Sequence, residues 1–379
     1  MTGQERILTT LSGAIPDRVP ITLFVQQEYL SWHFKRSDTD RVKDAALLAR
    51  ELGFDLMTRQ STHIEPHYAR KSYPNWEVCK SQHLENGNLH KKLEITTPAG
   101  ILSQIESSPY DPNTIGGIHF ITTKYMLETP DDFEIFRKYM PAQDQAYLAD
   151  MKEAATAAKS VICDMGISAP WGTGGVFNAA TTLRSLTDIL CDPYEDEAFY
   201  KEYMAFLSKM LLQDHAMLCE TAHDCIGIQG NMANGGLVGP DFFSKYIQPY
   251  ERPIIDLVKQ SGKHALYHNC GMAEKLYGCY LEMQMSVFET LSSPPQGDND
   301  LSQAKKVLGK AMTLSGNLDQ IVFLKAATPK EVAAKTEELI AVGKPGGRYL
   351  FATSDYLEAD TPLENVKSMI QAAQAAGRY

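Results

Sequence analysis

From about residue 161 onward the chain keeps one beat: a short apolar run, an amphipathic stretch, then another apolar run. The runs at 161–165, 225–229, 264–270, 286–289, 312–315 and 349–352 show little polar alternation, the pattern of strands covered on both faces. Between and after them, helical periodicity runs over 179–191, 194–222, 240–260, 272–282, 301–308, 329–341 and 362–376. Several of these stretches open on a proline, and 240–260 closes near Gly262, as helix ends prefer. Two earlier runs, 19–25 and 54–57, bracket a further helix at 40–52 and bring the strand count to eight. Alternation of this kind predicts an α/β chain with a parallel sheet. Eight units in 379 residues predict a single (β/α)8 TIM barrel domain over 1–379. An open doubly wound sheet is the alternative, but no Gly-x-Gly-x-x-Gly turn follows the first run. Two stretches stand outside the beat: an N-terminal helical segment at 2–13, and an insertion over about 73–128 with a β-hairpin turning at Pro98-Ala99-Gly100.

The barrel reading gives function an address, because such barrels place their chemistry at the carboxyl ends of the strands. The residues predicted to fall there are polar, among them Gln60, His63, Asp164, Gln229, Asn231, His268, Cys270, Glu289, Asn317 and Asp355. His268-Asn269-Cys270 is the sharpest of these signals. Residues i and i+2 of a strand share a face, so the imidazole and the thiol aim together where the backbone turns away. That pair suits a borderline divalent metal, zinc above all. The competing reading is a packed histidine and a packed thiol. Glu289 ends a strand 21 positions later and is a candidate general acid or further ligand, against a salt-bridged strand-end acid. Gln229 and Asn231 are candidate hydrogen-bond partners of a substrate, against caps of barrel-mouth loops. In Trp171-Gly172-Thr173-Gly174-Gly175 no lysine follows, so a phosphate cradle is disfavoured, and Trp171 is read as the wall of an aromatic substrate pocket.

Charge narrows the partners. A net charge of −11 disfavours nucleic acid and polyanionic substrates, both of which need a basic face. No apolar run approaches the roughly 20 residues of a membrane span. Seven cysteines without paired spacing, and no leader-like apolar stretch at the start, make a reducing cytoplasm the expected location.

Four segments, Ile15-Pro-Asp-Arg-Val-Pro20, His268-Asn-Cys-Gly271, Gly316-Asn-Leu-Asp319 and Thr361-Pro-Leu-Glu-Asn-Val366, resemble the uroporphyrinogen decarboxylase superfamily nearly end to end. The resemblance implies the barrel and two broad activities. Decarboxylases of the superfamily carry an arginine just after the first strand, where this chain reads Phe24-Val-Gln-Gln-Glu-Tyr29. Its zinc-dependent, corrinoid-linked methyltransferases carry His-x-Cys, which His268 and Cys270 match, and a later cysteine six positions before Thr-Pro. Thr361-Pro362 puts Asp355 in that slot, so the resemblance implies a His268, Cys270 and Asp355 zinc site with an open position. A carboxylate in place of a thiolate leaves the metal more electrophilic, which favours an ether oxygen over a sulfur. Residues 289–298 also resemble an O-demethylase branch. The implied partners are a small methyl donor, such as a methoxylated aromatic, and a corrinoid carried by a separate protein. A homodimer is compatible with barrels of this kind. The alternatives are a metal-free decarboxylase of a porphyrinogen-like or other carboxylated ring, and a barrel that has lost catalysis and binds a corrinoid or another small ligand.

Overall fold

The structure is a computed structural model that describes residues 1–59, 65–111, 120–170 and 174–379. Its first helix, Gly3–Ser12, is fixed at both ends: Thr2 and Glu5 form a reciprocal capping box, and Gly13 closes it at φ 88°. The strands follow as β1 (Leu56–Thr58), β2 (Glu77–Glu85), β3 (Asn88–Thr97), β4 (Gly100–Pro109), β5 (Ile121–Lys124), β6 (Gly166–Ser168), β7 (Cys225–Gln229), β8 (His264–His268), β9 (Val287–Glu289), β10 (Thr313–Leu318) and β11 (Tyr349–Thr353). The last five form one parallel sheet in the order β11-β10-β9-β8-β7, with helices in the connections, as the alternation predicts. β1 and β6 form a second parallel pair.

Two predicted strands come out differently. Residues 19–25 are buried and extended, yet only Ile21 forms a ladder bridge, to Phe351 of β11. Pro20 has no N–H to give, so its carbonyl accepts from Phe351 while Thr22 N donates to Phe351 O. The run expected at 161–165 belongs instead to the end of helix Gln145–Ile162 and a 3-10 turn, and the strand begins at Gly166. Gly166 is required there, because a Cβ would collide with the backbone of Leu56. Asp164 therefore lies exposed in the turn before β6, away from the strand's carboxyl end.

Backbone hydrogen bonds also cross the gaps between the sheets. Asp55 N donates to Ile21 O, Asp224 N to Ser168 O and Gly227 N to Pro170 O. Met57, Ile167, Cys225, Leu266, Val287 and Leu350 come from six strands, yet they pack in one cluster capped by Ile7 and Leu11 of the first helix. Their alternates on the same strands, such as Ile226, Tyr267, Phe288 and Phe351, face the helices in the larger core. The apolar cluster lies toward the strands' amino ends. The carboxyl ends carry the polar residues.

Outside this frame, β2 to β5 form a four-stranded antiparallel sheet. The hairpin turns where the sequence places it, with Thr97 opposite Gly100. The preceding hairpin turns at Asn86-Gly87, both at positive φ, which suits a two-residue turn.

Candidate metal centre

β7, β8 and β9 run in register, so Gln229, His268 and Glu289 stand side by side at their carboxyl ends. After His268 the backbone is pinned by Asn269, which is fully buried. Its N–H donates to Glu289 O at 2.6 Å, its Oδ1 accepts from Gly271 N at 3.1 Å, and its Nδ2 bonds the hydroxyl of Tyr280. Asn269 thus faces into the packing and leaves His268 and Cys270 on the other side. β11 brings Asp355 to the same place: the ligating atoms of His268, Cys270 and Asp355 all lie within 4.8 Å of one another.

The three donors are unequal in burial and charge. His268 is buried, and burial together with the Arg59 guanidinium holds its pKa down at about 3, so the imidazole is neutral and able to coordinate. Burial pushes the Cys270 thiol up to about 12, helped by the Asp355 carboxylate to which it donates a hydrogen bond. Burial likewise raises Asp355 to about 6, against the amide of Tyr356 that donates to its Oδ1 at 2.8 Å. Two acidic donors face each other in a desolvated place and share a proton, the strain that a divalent cation relieves. On that ground the residues fit a zinc ion with nitrogen, sulfur and oxygen donors.

Behind the histidine stands a second layer that the sequence does not show as a unit. Glu289 Oε2 lies 3.2 Å from His268 Nδ1 and 3.0 Å from Arg59 Nε, and its Oε1 contacts Arg59 Nη2. Both carboxylate oxygens are therefore engaged, on a residue only 2% exposed. Arg59 also lies over the Phe24 ring at 5.8 Å, and Phe24 meets Tyr356 edge to face at 6.0 Å. Arg59, just past the carboxyl end of β1, is consumed in this way and does not stand free to grip a substrate carboxylate.

The other predicted residues separate. Gln229 is half-buried next to Gly174, where an added Cβ would lie 3.5 Å from its Oε1. Asn231 is tied to Asn178 through its side chain and accepts from Asn234 on its carbonyl, which places it in loop architecture. Asn317 donates to Leu291 O at 2.8 Å and Asn299 O at 3.0 Å, again a loop clasp. Trp171, Gln60 and His63 lie outside the described residues. Gly175 packs so closely that a Cβ would come within 2.7 Å of Glu251 Oε2, so the glycines of that loop make room for the strand end.

Several known proteins resemble this chain. Over 164 residues the chain is 26% identical to the methylcobamide:CoM methyltransferase MtbA of Methanosarcina acetivorans, covering 41% of this chain and 43% of that protein. It is 24% identical over 142 residues to the methylated-thiol–coenzyme M methyltransferase of Methanosarcina mazei, covering 38% of this chain and 35% of the relative. The chain thus spans less than half the length of these relatives. A shorter match, 27% over 75 residues, joins 20% of the chain to 20% of a uroporphyrinogen decarboxylase of Coxiella burnetii. Among solved structures, a methyltransferase from Methanosarcina mazei superposes with a TM-score of 0.69 over 99% of both chains at 15% identity, which establishes a shared α/β fold. The sequence profile of the uroporphyrinogen decarboxylase (URO-D) family matches residues 120–376, well over half of the chain, and the protein belongs to that family.

Proposed function

We propose that this protein is a zinc-dependent methyltransferase that moves a methyl group between a small methylated substrate and the corrinoid of a partner protein. The observation that carries the reading is the convergence of His268, Cys270 and Asp355 within 4.8 Å at the ends of two strands. The methyltransferase relatives support the same reading. We place this site at the mouth of a closed eight-stranded barrel forming one domain over 1–379, with the β2–β5 sheet as an insertion. Hydrogen bonds from residues 20–22 to β11 and to Asp55, and from β6 to β7, support the closure, as does the single cluster fed by six strands. Among the described residues no helix is long and apolar enough to cross a membrane, and a cytoplasmic location fits the unpaired cysteines.

His268, Cys270 and Asp355 would hold a zinc ion whose Lewis acidity would stabilise the electron pair left on the substrate heteroatom as its methyl group passes to the Co(I) corrinoid of the partner. The chain's own residues set up that chemistry. Glu289, fixed by Arg59, holds His268 by Nδ1, so that Nε2 is the nitrogen presented to an ion. Glu289 is thus a positioning residue, and a general-acid role is not retained because its oxygens are engaged. Cys270 would release the one proton it shares with Asp355 when an ion is held, leaving a thiolate beside a carboxylate. Gln229, next in register to His268, orients the substrate. Phe24 and Tyr356 give the site an aromatic wall suited to a methoxylated ring. One thiolate and one carboxylate favour a methyl ether over a thioether as donor.

The test is metal analysis joined to turnover. One tightly held zinc per chain is expected, absent from His268→Ala and Cys270→Ser. The intact protein is expected to consume the Co(I) absorbance of a supplied corrinoid when given a methoxylated aromatic. Full activity in His268→Ala, or purified protein without zinc, overturns the reading.

A further inference from the structure

The insertion carries a second set of donors, far in sequence from the first. In the β2–β3 hairpin His83 pairs directly with His90, and Glu85 pairs with Asn88 next to the Asn86-Gly87 turn. Strand side chains alternate, so His83 and Glu85 share a face, and His90, opposite His83, shares it too. The register is fixed by the two-residue turn and by the ten-residue ladder between β3 and β4.

On that face the two imidazole rings are stacked, 5.0 Å between centroids and 19° apart. Glu85 Oε2 lies 3.7 Å from His83 Nε2. The ligating atoms of His83, Glu85 and His90 lie within 4.8 Å of one another. His90 is also oriented from behind. Its Nδ1 lies 2.7 Å from Ser107 Oγ, and Ser107 lies 3.2 Å from Thr123 Oγ1, so a polar row crosses all four strands. A ligating histidine whose other nitrogen is held by an outer partner is the arrangement metal sites use, since it fixes tautomer and ring plane together.

We infer that His83, Glu85 and His90 form a second divalent transition-metal site, open to solvent on one side. Two imidazoles and one carboxylate suit Zn2+ or Ni2+. Lacking thiolate and burial, the site binds more weakly and exchanges faster than the centre at His268. A cation there clamps β2 to β3 near the hairpin tip, and its remaining positions take water or a donor from a docking protein.

The experiment titrates the zinc-loaded full-length protein with Ni2+ alone, read by calorimetry. Wild type is expected to take up one further equivalent. His83→Ala and His90→Ala are expected to lose it, and Ser107→Ala to weaken it on the order of tenfold. Cys270→Ser, which empties the first centre, is expected to retain it, so the two sites fail or stand separately. His83 and His90 lie on a surface sheet, Ser107 is buried on β4, and unchanged melting in metal-free buffer verifies that the variants fold. Uptake of Ni2+ by His83→Ala and His90→Ala equal to wild type, or no further equivalent in wild type, overturns the assignment.

Discussion

A carboxylate donates less charge to a bound cation than a thiolate does, so exchanging one for the other at a fixed geometry tunes electrophilicity without moving the site. Asp355→Cys is that exchange, and its ligating atom lies within 4.8 Å of those of His268 and Cys270. The variant is expected to keep one zinc per chain, to lose rate with a methyl ether and to gain it with a methyl thioether, as a paired-substrate assay would read. The layer behind His268 makes a separate prediction. Arg59 and Glu289 are both essentially buried and face each other, so removing either charge strands the other, at about 3–5 kcal/mol. The double variant Arg59→Met with Glu289→Leu removes both and is expected to recover most of that stability in urea titrations. It is not expected to recover zinc affinity, which should stay about 10–100-fold down by chelator competition, because His268 has lost its outer partner. Stability that recovers together with affinity would show that Glu289 packs but does not position. His268 and Cys270 were readable in the sequence because a period of two sets their common direction. The Arg59–Glu289 pair was not, because 230 positions separate partners that only the fold brings together. Asp355 was readable only through the family resemblance, which puts it in the slot six positions before Thr361-Pro362, since nothing local marks a carboxylate as a ligand.

Elements are set by their ends, and the loop that shapes one side of the site shows how. Helix Val176–Leu183 starts at Gly175, which has no side chain to cap it. Glu251, fully buried on helix Gln248–Gln260, takes the cap's place: its Oε1 accepts from Phe177 N at 3.0 Å, while Oε2 has no hydrogen-bond partner among the described residues. Burial raises this carboxyl to about 7, against the pull of the Phe177 and Val176 amides. The unfolded value is near 4.3, so between there and 7 the folded state binds the extra proton. The associated stability is fully present below about pH 4.3 and is lost as pH rises through 7. Glu251→Gln is neutral throughout, and it should flatten that decline and exceed wild type by roughly 2–3 kcal/mol above pH 8, in urea titrations run at pH 5 and pH 8. Equal slopes in both proteins would remove Glu251 from the account. Such long-range caps are invisible in sequence, whereas local ones are plain: Thr129-Pro130 with Asp132, and Thr328-Pro329 with Glu331, form the capping boxes their spacing predicts. β7, β8, β10 and β11 were legible for a similar reason, as apolar runs bounded by turns. β6 was misplaced because Val161 and Ile162 look like strand and end a helix. The true strand is three residues opening on a glycine, too short for any periodicity to register.

At the scale of the whole molecule, the two parallel sheets are joined where the sequence departs most from a regular ladder. Pro20 breaks the pairing of residues 19–25, and Asp55 repairs it. One Asp55 oxygen accepts from Ile21 N at 2.9 Å and from Arg18 Nη1 at 2.8 Å, and the other takes Arg6 Nη1 at 2.6 Å. This single carboxylate, 3% exposed, thus joins the first helix, the segment beside β11 and the start of β1. It also explains the Pro16-Asp17-Arg18 motif as architecture, since Asp17 holds Arg6 from its other side at 2.7 Å. Asp55→Ala leaves two guanidinium groups at a desolvated seam and is expected to cost about 3–5 kcal/mol. The seam lies at the amino ends of the strands and the donors lie at the carboxyl ends. Zinc content at 10 °C below the lowered melting point should therefore equal wild type, with tolerance of urea sharply reduced. Loss of zinc under those mild conditions would mean that the two ends of the parallel strands do not stand independently, and that the site's geometry is set by the Asp55 contacts at the far end rather than by the turn after His268.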